Sequence, residues 1–392
     1  MLGPDIWPHP ASSDRSASGA SAPAISRAMG KASRPFYCAL AGNLPSPIFS
    51  DWPPAVSVIT RRRALSLGIA AAALVLASAP LPGLRRPLQV AVGSELEQPL
   101  QQLEPLFERR HPDIDLRWQV QGAQDMVNQN LEGRPDRSRV LIPSNREQLR
   151  AFQAALAAQG EPAPFSREPQ PIARTLLVAV VWPDRAARLF PDGGFSWARL
   201  KQAAAAGQWS ALGGPDTWGS FDLRTTDPLR SNSGQMTLAL WSRDRPTAAS
   251  VAVLKRAVYR PARSTDILLR EFISGGRNDG DIAMVYEAAA LMRSAEAQQR
   301  WPGGYRLMVP DPTIEMVLAA AVLRGEAMGR QADGERFVDF LAGEEAQAAL
   351  RTLGFRDLDG RGGDPAANRV RRLPPPDRAQ LDDLLRLWQQ AG

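Results

Sequence analysis

Thr226-Asp227-Pro228-Leu229-Arg230-Ser231-Asn232-Ser233-Gly234 is the stretch on which the fold turns. Phe221 to Thr225 precedes it, follows Gly219-Ser220, and reads as a strand. Gln235 to Trp241 follows it, carries Met236, Leu238, Leu240 and Trp241, and reads as a buried helix. Asp227-Pro228 closes the strand, because proline cannot donate to a ladder and restrains its predecessor. Ser231, Asn232 and Ser233 are all N-cap residues, and Gly234 lets backbone or ligand approach closely. A strand, a short polar loop and a helix N-terminus together form an anion-binding arrangement of free N–H groups, hydroxyls and helix dipole. The plainer alternative is a helix cap that binds nothing, and this stretch alone leaves both open.

The same grammar repeats upstream. Leu88 to Val92 alternates and ends at Gly93-Ser94; Leu96 to Arg110 follows with Leu100, Leu103, Leu106 and Phe107 at helical spacing. Ile114 to Gln121 is a second strand, and Gly122-Ala123-Gln124-Asp125 leads into a helix through Leu131. Val140 to Ile142 is a third, followed by Pro143-Ser144-Asn145 and a helix over 146–159. Three β-loop-α units imply parallel pairing with helices on the faces, and the loops fall where α/β sheets bind ligands. Glu161 to Pro171 reads as irregular and Thr175 to Trp182 as a strongly apolar strand. Downstream, 247–259 and 265–273 read as helices, Asp281 to Val285 as a strand running into Tyr286-Glu287 and a helix, and 305–309 and 316–323 as strands. Helices over 335–341 and 346–353, the turn Gly354-Phe355-Arg356, a loop over 361–376 and an amphipathic helix over 378–389 close the chain.

Composition narrows the function. The 392 residues carry a formal net charge of +6, unevenly placed. Residues 1–80 hold seven Lys/Arg against three Asp/Glu, leaving 40 against 38 for the remainder. The body is therefore nearly balanced, and no nucleic-acid partner is expected. Cys38 is the only cysteine, and His9 and His111 the only histidines. That rules out an intramolecular disulfide, a cysteine- or histidine-based metal cluster and most histidine catalysis, and no cofactor is expected. Residues 1 to about 58 are rich in Pro, Ser, Ala and Gly. After them Thr60-Arg61-Arg62-Arg63-Ala64-Leu65-Ser66 opens an apolar run, Leu67 to Ala79, that reads as an export signal resembling the twin-arginine type. Cleavage after this run and retention of residues 64–84 as a membrane anchor both stay open, and residues 1–84 are set apart from the folded body.

The order and spacing of Asp227-Pro228, Ser231 to Gly234, Gly280-Asp281-Ile282-Ala283-Met284-Val285-Tyr286-Glu287 and Gly354-Phe355-Arg356 resemble the type II periplasmic solute-binding proteins of ABC transporters, near the molybdate and sulfate branch. The likeness covers roughly residues 87 to 392. It implies an α/β, two-lobed architecture with two crossover strands and a cleft between the lobes. Lobe one is expected over 85–175 and 312–392, lobe two over 176–311, with crossovers at Thr175 to Trp182 and near Val309 to Glu315. It further implies a monomeric, exported, periplasmic protein that captures a small solute, an oxyanion among the candidates, for an ABC-type membrane permease.

Residue by residue, the resemblance implies contacts from Ser94, from Gln124 where oxyanion binders usually offer a serine, and from Ser144. It adds Ser231, Asn232 and Ser233, then Thr265 opening its helix, and Tyr286 with Glu287 beside it. Glu287 would repel an anion unless it points away or pairs with an arginine. Tyr286 can equally be a core tyrosine with a satisfied hydroxyl, and Ser94 a turn residue. On this basis Ser233→Ala and Tyr286→Phe are expected to weaken binding several-fold to tenfold while leaving the fold intact. Two competing functions stay in view. An enzyme on the same architecture would need carboxylates converging in the cleft, with Asp125, Asp227, Asp281 and Glu287 as candidates. An anchored sensory or scaffold protein would keep its N-terminal segment.

Overall fold

The computed structural model describes residues 85–122, 126, 138–258, 260–325 and 328–391, together with Ser66 and Ile69. The export signal otherwise lies outside the described residues, as do Ala123, Gln124 and Asp125. Residues 85 onward belong to one compact unit, Pro80–Gly392. No helix of the described residues is long and apolar enough to cross a membrane.

In chain order the strands are β1 (Arg86–Gly93), β2 (Ile114–Gln121), β3 (Val140–Ile142), β4 (Gln170–Val181), β5 (Leu223–Arg224), β6 (Ile282–Tyr286), β7 (Arg306–Met308), β8 (Thr313–Val322) and β9 (Arg372–Leu373). The helices are α1 (Glu97–Arg110), α2 (Arg146–Ala158), α3 (Pro183–Leu189), α4 (Trp197–Ala206), α5 (Asn232–Ser242) and α6 (Ala248–Ala257). They continue as α7 (Thr265–Gly275), α8 (Glu287–Met292), α9 (Ser294–Arg300), α10 (Met328–Ala342), α11 (Glu344–Thr352) and α12 (Arg378–Gln390). The hydrogen-bonded path runs β2-β1-β3-β8-β4-β6-β5, with β7 on β4 and β9 on β8. β1 pairs in parallel with β2 and β3, and β5 with β6, as the β-loop-α units require.

Two strands knit this path together. The first half of β4 pairs with β8, and its second half, Leu177 to Val181, pairs with β6 and β7. The apolar side chains around them fall into separate clusters. One gathers Val90, Phe107, Ile142, Leu318, Phe337 and Phe355 on one face of the β1-β3-β8 region, with Leu141, Phe152 and Phe165 in a third group. The other gathers Val178, Trp182, Leu223, Trp241, Phe272 and Met284. Burial of these side chains, at about 1.5–3 kcal/mol each, is what holds the chain against its conformational entropy.

Several elements differ from the sequence reading. β4 begins at Gln170, five residues before Thr175, and passes Pro171 because the ladder shifts register between Pro171 and Ala173. The missing proline donor is tolerated at such an irregularity. α10 begins at Met328, although Gly329 and Gly334 argue against helix; at Gly334 a Cβ would meet Val140 and Val322 at 3.2 and 3.0 Å, so close packing favours glycine. α3 was not expected and starts at Pro183, a residue suited to the first helical turn.

The closing segment takes a different course from the grouping of 312–392 as one body. Phe355 lies in the first cluster, Ala367 already in the second. β9 then pairs with Thr313-Ile314, and α12 packs on α5 and α6, where Trp388 is buried and Lys255 Nζ donates to the Trp388 and Ala391 carbonyls. The amphipathic period of α12 supplies an apolar face; the neighbour that covers it is the second cluster. The chain thus passes between the two clusters three times, at β4, at β8 and at 357–371.

Candidate functional site

The opening stretch folds as the sequence implies, with a different division of labour. Ser231 occupies the N-cap of α5, but its side chain caps nothing and lies 3.5 Å from Ser233 Oγ. Asp227 instead orders the turn, accepting from Leu229 N at 3.0 Å. Gly234 is required by backbone: a Cβ there would stand 2.3 Å from the Thr226 carbonyl. Ser233 is wholly buried, its hydroxyl 2.8 Å from Thr226 Oγ1 and accepting from Thr265 Oγ1 at 2.7 Å. These three hydroxyls fasten the end of the β5 segment to the starts of α5 and α7. Ser233→Ala is therefore expected to cost about 1–3 kcal/mol of stability, the cost of leaving buried hydroxyls unsatisfied. Chemical denaturation against wild type checks this, and it replaces the expectation that the change leaves the fold untouched.

Asn232 and Tyr286 come together as well: Asn232 Nδ2 donates to the Tyr286 hydroxyl oxygen at 2.9 Å, both side chains buried. Burial, and next the nearby Glu95 carboxylate, push the Tyr286 phenol well above its ordinary range, so it stays protonated as a donor. Glu287 points away from this group. It is fully buried and receives Arg356 Nε and Nη2 at 2.9 and 2.7 Å and the Asp364 N–H at 2.8 Å. The condition under which Glu287 spares an anion, pairing with an arginine, is thus met. Ser144 is buried beside Glu95 and Tyr286.

Sequence reasoning missed Glu95. It follows Ser94 in the Ser94–Leu96 turn, which lies against α7, and it is buried with Oε1 lacking any hydrogen-bond partner. Burial raises its carboxyl above the ordinary range; Ser144 partly offsets this and Asp266 adds to it. An acidic residue in a first helical turn looks, in sequence, like an ordinary favourable partner of the dipole, which hides its burial. The sign of its linkage is definite. A carboxyl whose folded pKa is raised binds a proton more readily when folded, so its cost to stability is absent below the unfolded pKa and grows as pH rises toward the folded one. Glu95→Gln is expected to raise the unfolding temperature at pH 7.5 and to give no gain near pH 4. Calorimetric scans at the two pH values check this.

Near this buried group the surface opens into two spaces. A mouth of about 300 Å³ is bounded by Ser94, Glu97 and Val120 to Gly122 on one side, and by Arg230, Arg263, Ser264, Asp266 and Arg270 on the other. A chamber of about 590 Å³ lies between the start of α2, the start of α5 and α12, with Asn145, Gln148, Asn232 and Gln235 in its wall. Arg230 lines both. Arg270 pairs with Asp266, whereas Arg230 and Arg263 make no ion pair among the described residues. Ser264 caps α7, accepting from Ile267 N at 3.4 Å. The two sides of the mouth belong to elements of different hydrophobic clusters.

The matching family model is that of the bacterial extracellular solute-binding proteins, over residues 88–356. The chain belongs to this family. No curated protein sequence matches it. Among solved structures this solute-binding protein is similar to the sulfate-binding protein SubI from Mycobacterium tuberculosis H37Rv, at 17% identity and TM-score 0.52, over 76% of this chain and 96% of that one. It is similar to iron-bound HitA from Pseudomonas aeruginosa, at 18% identity and TM-score 0.55, over 78% and 99%. It is also similar to the periplasmic binding protein AfuA from Actinobacillus pleuropneumoniae, whose structure holds exogenous fructose-6-phosphate, at 12% identity and TM-score 0.57, over 78% and 97%. The fold is that of the type II periplasmic binding proteins, with β4 and β8 as its crossover strands.

Three of the carboxylates weighed for acid–base work in this solute-binding protein have structural occupations. Asp227 orders its turn, Asp281 receives Arg185 Nε at 2.7 Å and Asp222 N at 2.8 Å, and Glu287 holds Arg356. Asp125 and Gln124 fall outside the described residues.

Proposed function

We propose that the protein captures an anionic solute outside the cytoplasm, between a lobe built on β1-β3 and a lobe built on β5-β6, and delivers it as a monomer to an ABC-type permease. The observation that carries this reading is the mouth between the two clusters, lined by Ser94, Ser264, Arg230 and Arg263, where the last two make no ion pair among the described residues. Arginine forks match carboxylate, sulfate and phosphate geometry, and their charge attracts such a solute over a screening length of about 8–10 Å. Hinge closure brings the two sides onto one solute, so affinity depends on both. Nothing covalent is needed: transport requires reversible binding, and charge-assisted hydrogen bonds of about 1.5–3 kcal/mol each supply it.

The expected result is that a thermal-shift screen of the full chain selects anions over neutral sugars and cations. Arg230→Ala and Arg263→Ala should each weaken the best-binding anion about tenfold or more by calorimetry, and affinity should fall as salt is raised. Selection of a neutral or cationic solute, or unchanged affinity in the double variant, would overturn the anionic reading. Secretion of the native protein with loss of its N-terminal segment would support export; a retained segment in the membrane fraction favours the anchored alternative.

A further inference from the structure

We infer that Arg270 is a third solute-binding arginine, parked on Asp266 until a solute arrives and then handed to it, while Arg293 keeps Asp266 paired. This rests on the anionic reading above and adds a residue and the solute's charge, that of a dianion.

Placement is the first ground. Asp266 and Arg270 lie one turn apart on α7, and both line the mouth with Arg230 and Arg263. The Asp266 carboxylate is shared. Its Oδ2 meets Arg270 Nη2, and its Oδ1 receives Arg293 Nη2 at 2.5 Å. Arg293 comes from the junction of α8 and α9 and does not line the mouth.

The second ground is that the two arginines on Asp266 are not equivalent. The Arg293 side chain is 13% exposed and is also held by Glu296, at 2.9 Å from Nη1. The Arg270 side chain is 55% exposed and is tied to its own helix only through Asp266. Exposed pairs at this helical spacing are weak, because water screens the charges and holding two long side chains costs entropy. Arg270 can therefore leave at little cost, and Asp266 does not become a lone carboxylate when it does. An arriving anion offers Arg270 a bidentate partner in exchange.

The third ground is charge. The mouth is lined by the guanidiniums of Arg230, Arg263 and Arg270 and by the carboxylates of Glu97 and Asp266. Arg293 matches Asp266 from behind, so three guanidiniums face one carboxylate, Glu97, a surplus of two positive charges. Glu95 does not line the mouth, and burial lifts its carboxyl above the ordinary range, toward the neutral form. A dianion balances the surplus. A monoanion leaves one guanidinium without a partner as the two sides close, and a desolvated lone charge is costly.

The experiment measures binding by calorimetry on the full chain, in wild type, Arg270→Ala and Asp266→Asn. Two matched pairs of probes are used: inorganic sulfate against methanesulfonate, and succinate against succinamate. Within each pair the bulk is nearly constant and one negative charge is removed. The expected result is that in at least one pair the dianion binds about tenfold or more tightly than its monoanion, and that Arg270→Ala brings this ratio within about threefold. Which pair responds tells a tetrahedral dianion from a dicarboxylate. Asp266→Asn should tighten the dianion several-fold, because Arg270 then has no carboxylate to leave, while Arg293 keeps Glu296. An Asp266–Arg270 pair with a purely structural role gives no such gain. Equal binding of dianion and monoanion, a ratio that survives Arg270→Ala, unchanged or weaker dianion binding in Asp266→Asn, or no binding of any of the four probes overturns the inference. The anionic reading is judged apart from it, by Arg230→Ala with Arg263→Ala on the solute that the screen selects.

Discussion

Arg356→Leu is expected to lower stability by about 3–5 kcal/mol, the cost of stranding a buried charge. Neither Arg356 nor Glu287 reaches solvent, and the guanidinium meets the carboxylate with two near-parallel bonds of 2.9 and 2.7 Å. Its remaining donors serve Asn368 Oδ1 at 2.7 Å and the Asp364 carbonyl at 3.0 Å. Removing Arg356 leaves Glu287 with the Asp364 N–H alone and takes from the loop over 357–371 its bonds through Asn368 Oδ1 and the Asp364 carbonyl. The same pair replaced on both sides, Arg356→Met with Glu287→Met, should recover much of the loss, because no uncompensated charge remains. Urea unfolding of the single and double variants decides between these terms. A single variant as stable as wild type would show that water reaches Glu287.

Asp281→Ala should produce a loss of similar size, about 3–5 kcal/mol, by a related route. Its carboxylate receives Arg185 Nε and the Asp222 N–H, joining the start of β6 to the approach to β5 and to α3. Arg185 is buried too, with its guanidinium 3.6 Å from the centroid of the Trp218 ring. Without Asp281 the cation keeps that ring and Asp184, at 3.1 Å, as its neighbours. Cation–π attraction, about 0.5–2 kcal/mol, does not replace a buried carboxylate. Asp281→Asn keeps the acceptor for Asp222 and is expected to lose less than the alanine variant. Thermal unfolding of both checks the order, and solute affinity should change little in either, since Asp281 serves the second cluster and not the mouth.

The legible parts of this molecule are those whose cause is local. Asp227-Pro228 ends its strand through proline chemistry, and the small polar run Ser231 to Gly234 marks a helix start, although the Ser231 side chain does not cap it, so both could be read in place. Tyr286 could be placed at a strand end because the apolar run before it is short and bounded. What escaped reading is set by partners far along the chain. Glu287 finds Arg356 sixty-nine positions later, and no spacing rule announces the pair. Glu95 is buried by the Ser144 loop and by α7, so its unusual state arises only after folding. Arg230 sits inside the stretch that opened the sequence analysis, yet an arginine reveals itself as unpaired only once its surroundings are known. The helical period of α12 defines a face; nothing in it names the cluster that face will cover.

The third passage of chain between the two clusters has a mechanical consequence. A pair of adjacent strands can act as a hinge that bends and also twists, because nothing off the axis resists rotation. Here the residues after Phe355 leave Arg356 anchored to Glu287, run beside Thr313 through β9, and end in a helix seated on the other side of the crossing. This is a tether attached away from the bending line, and it begins where the family match ends, at residue 356. Torsion must stretch it, while bending need not. If the two sides close on a solute as proposed, this tether should confine the open form to a narrow fan of angles and leave the solute less disorder to remove. Small-angle scattering should accordingly record an unliganded population close to one shape, and cutting the tether at Arg361 by protease should broaden it.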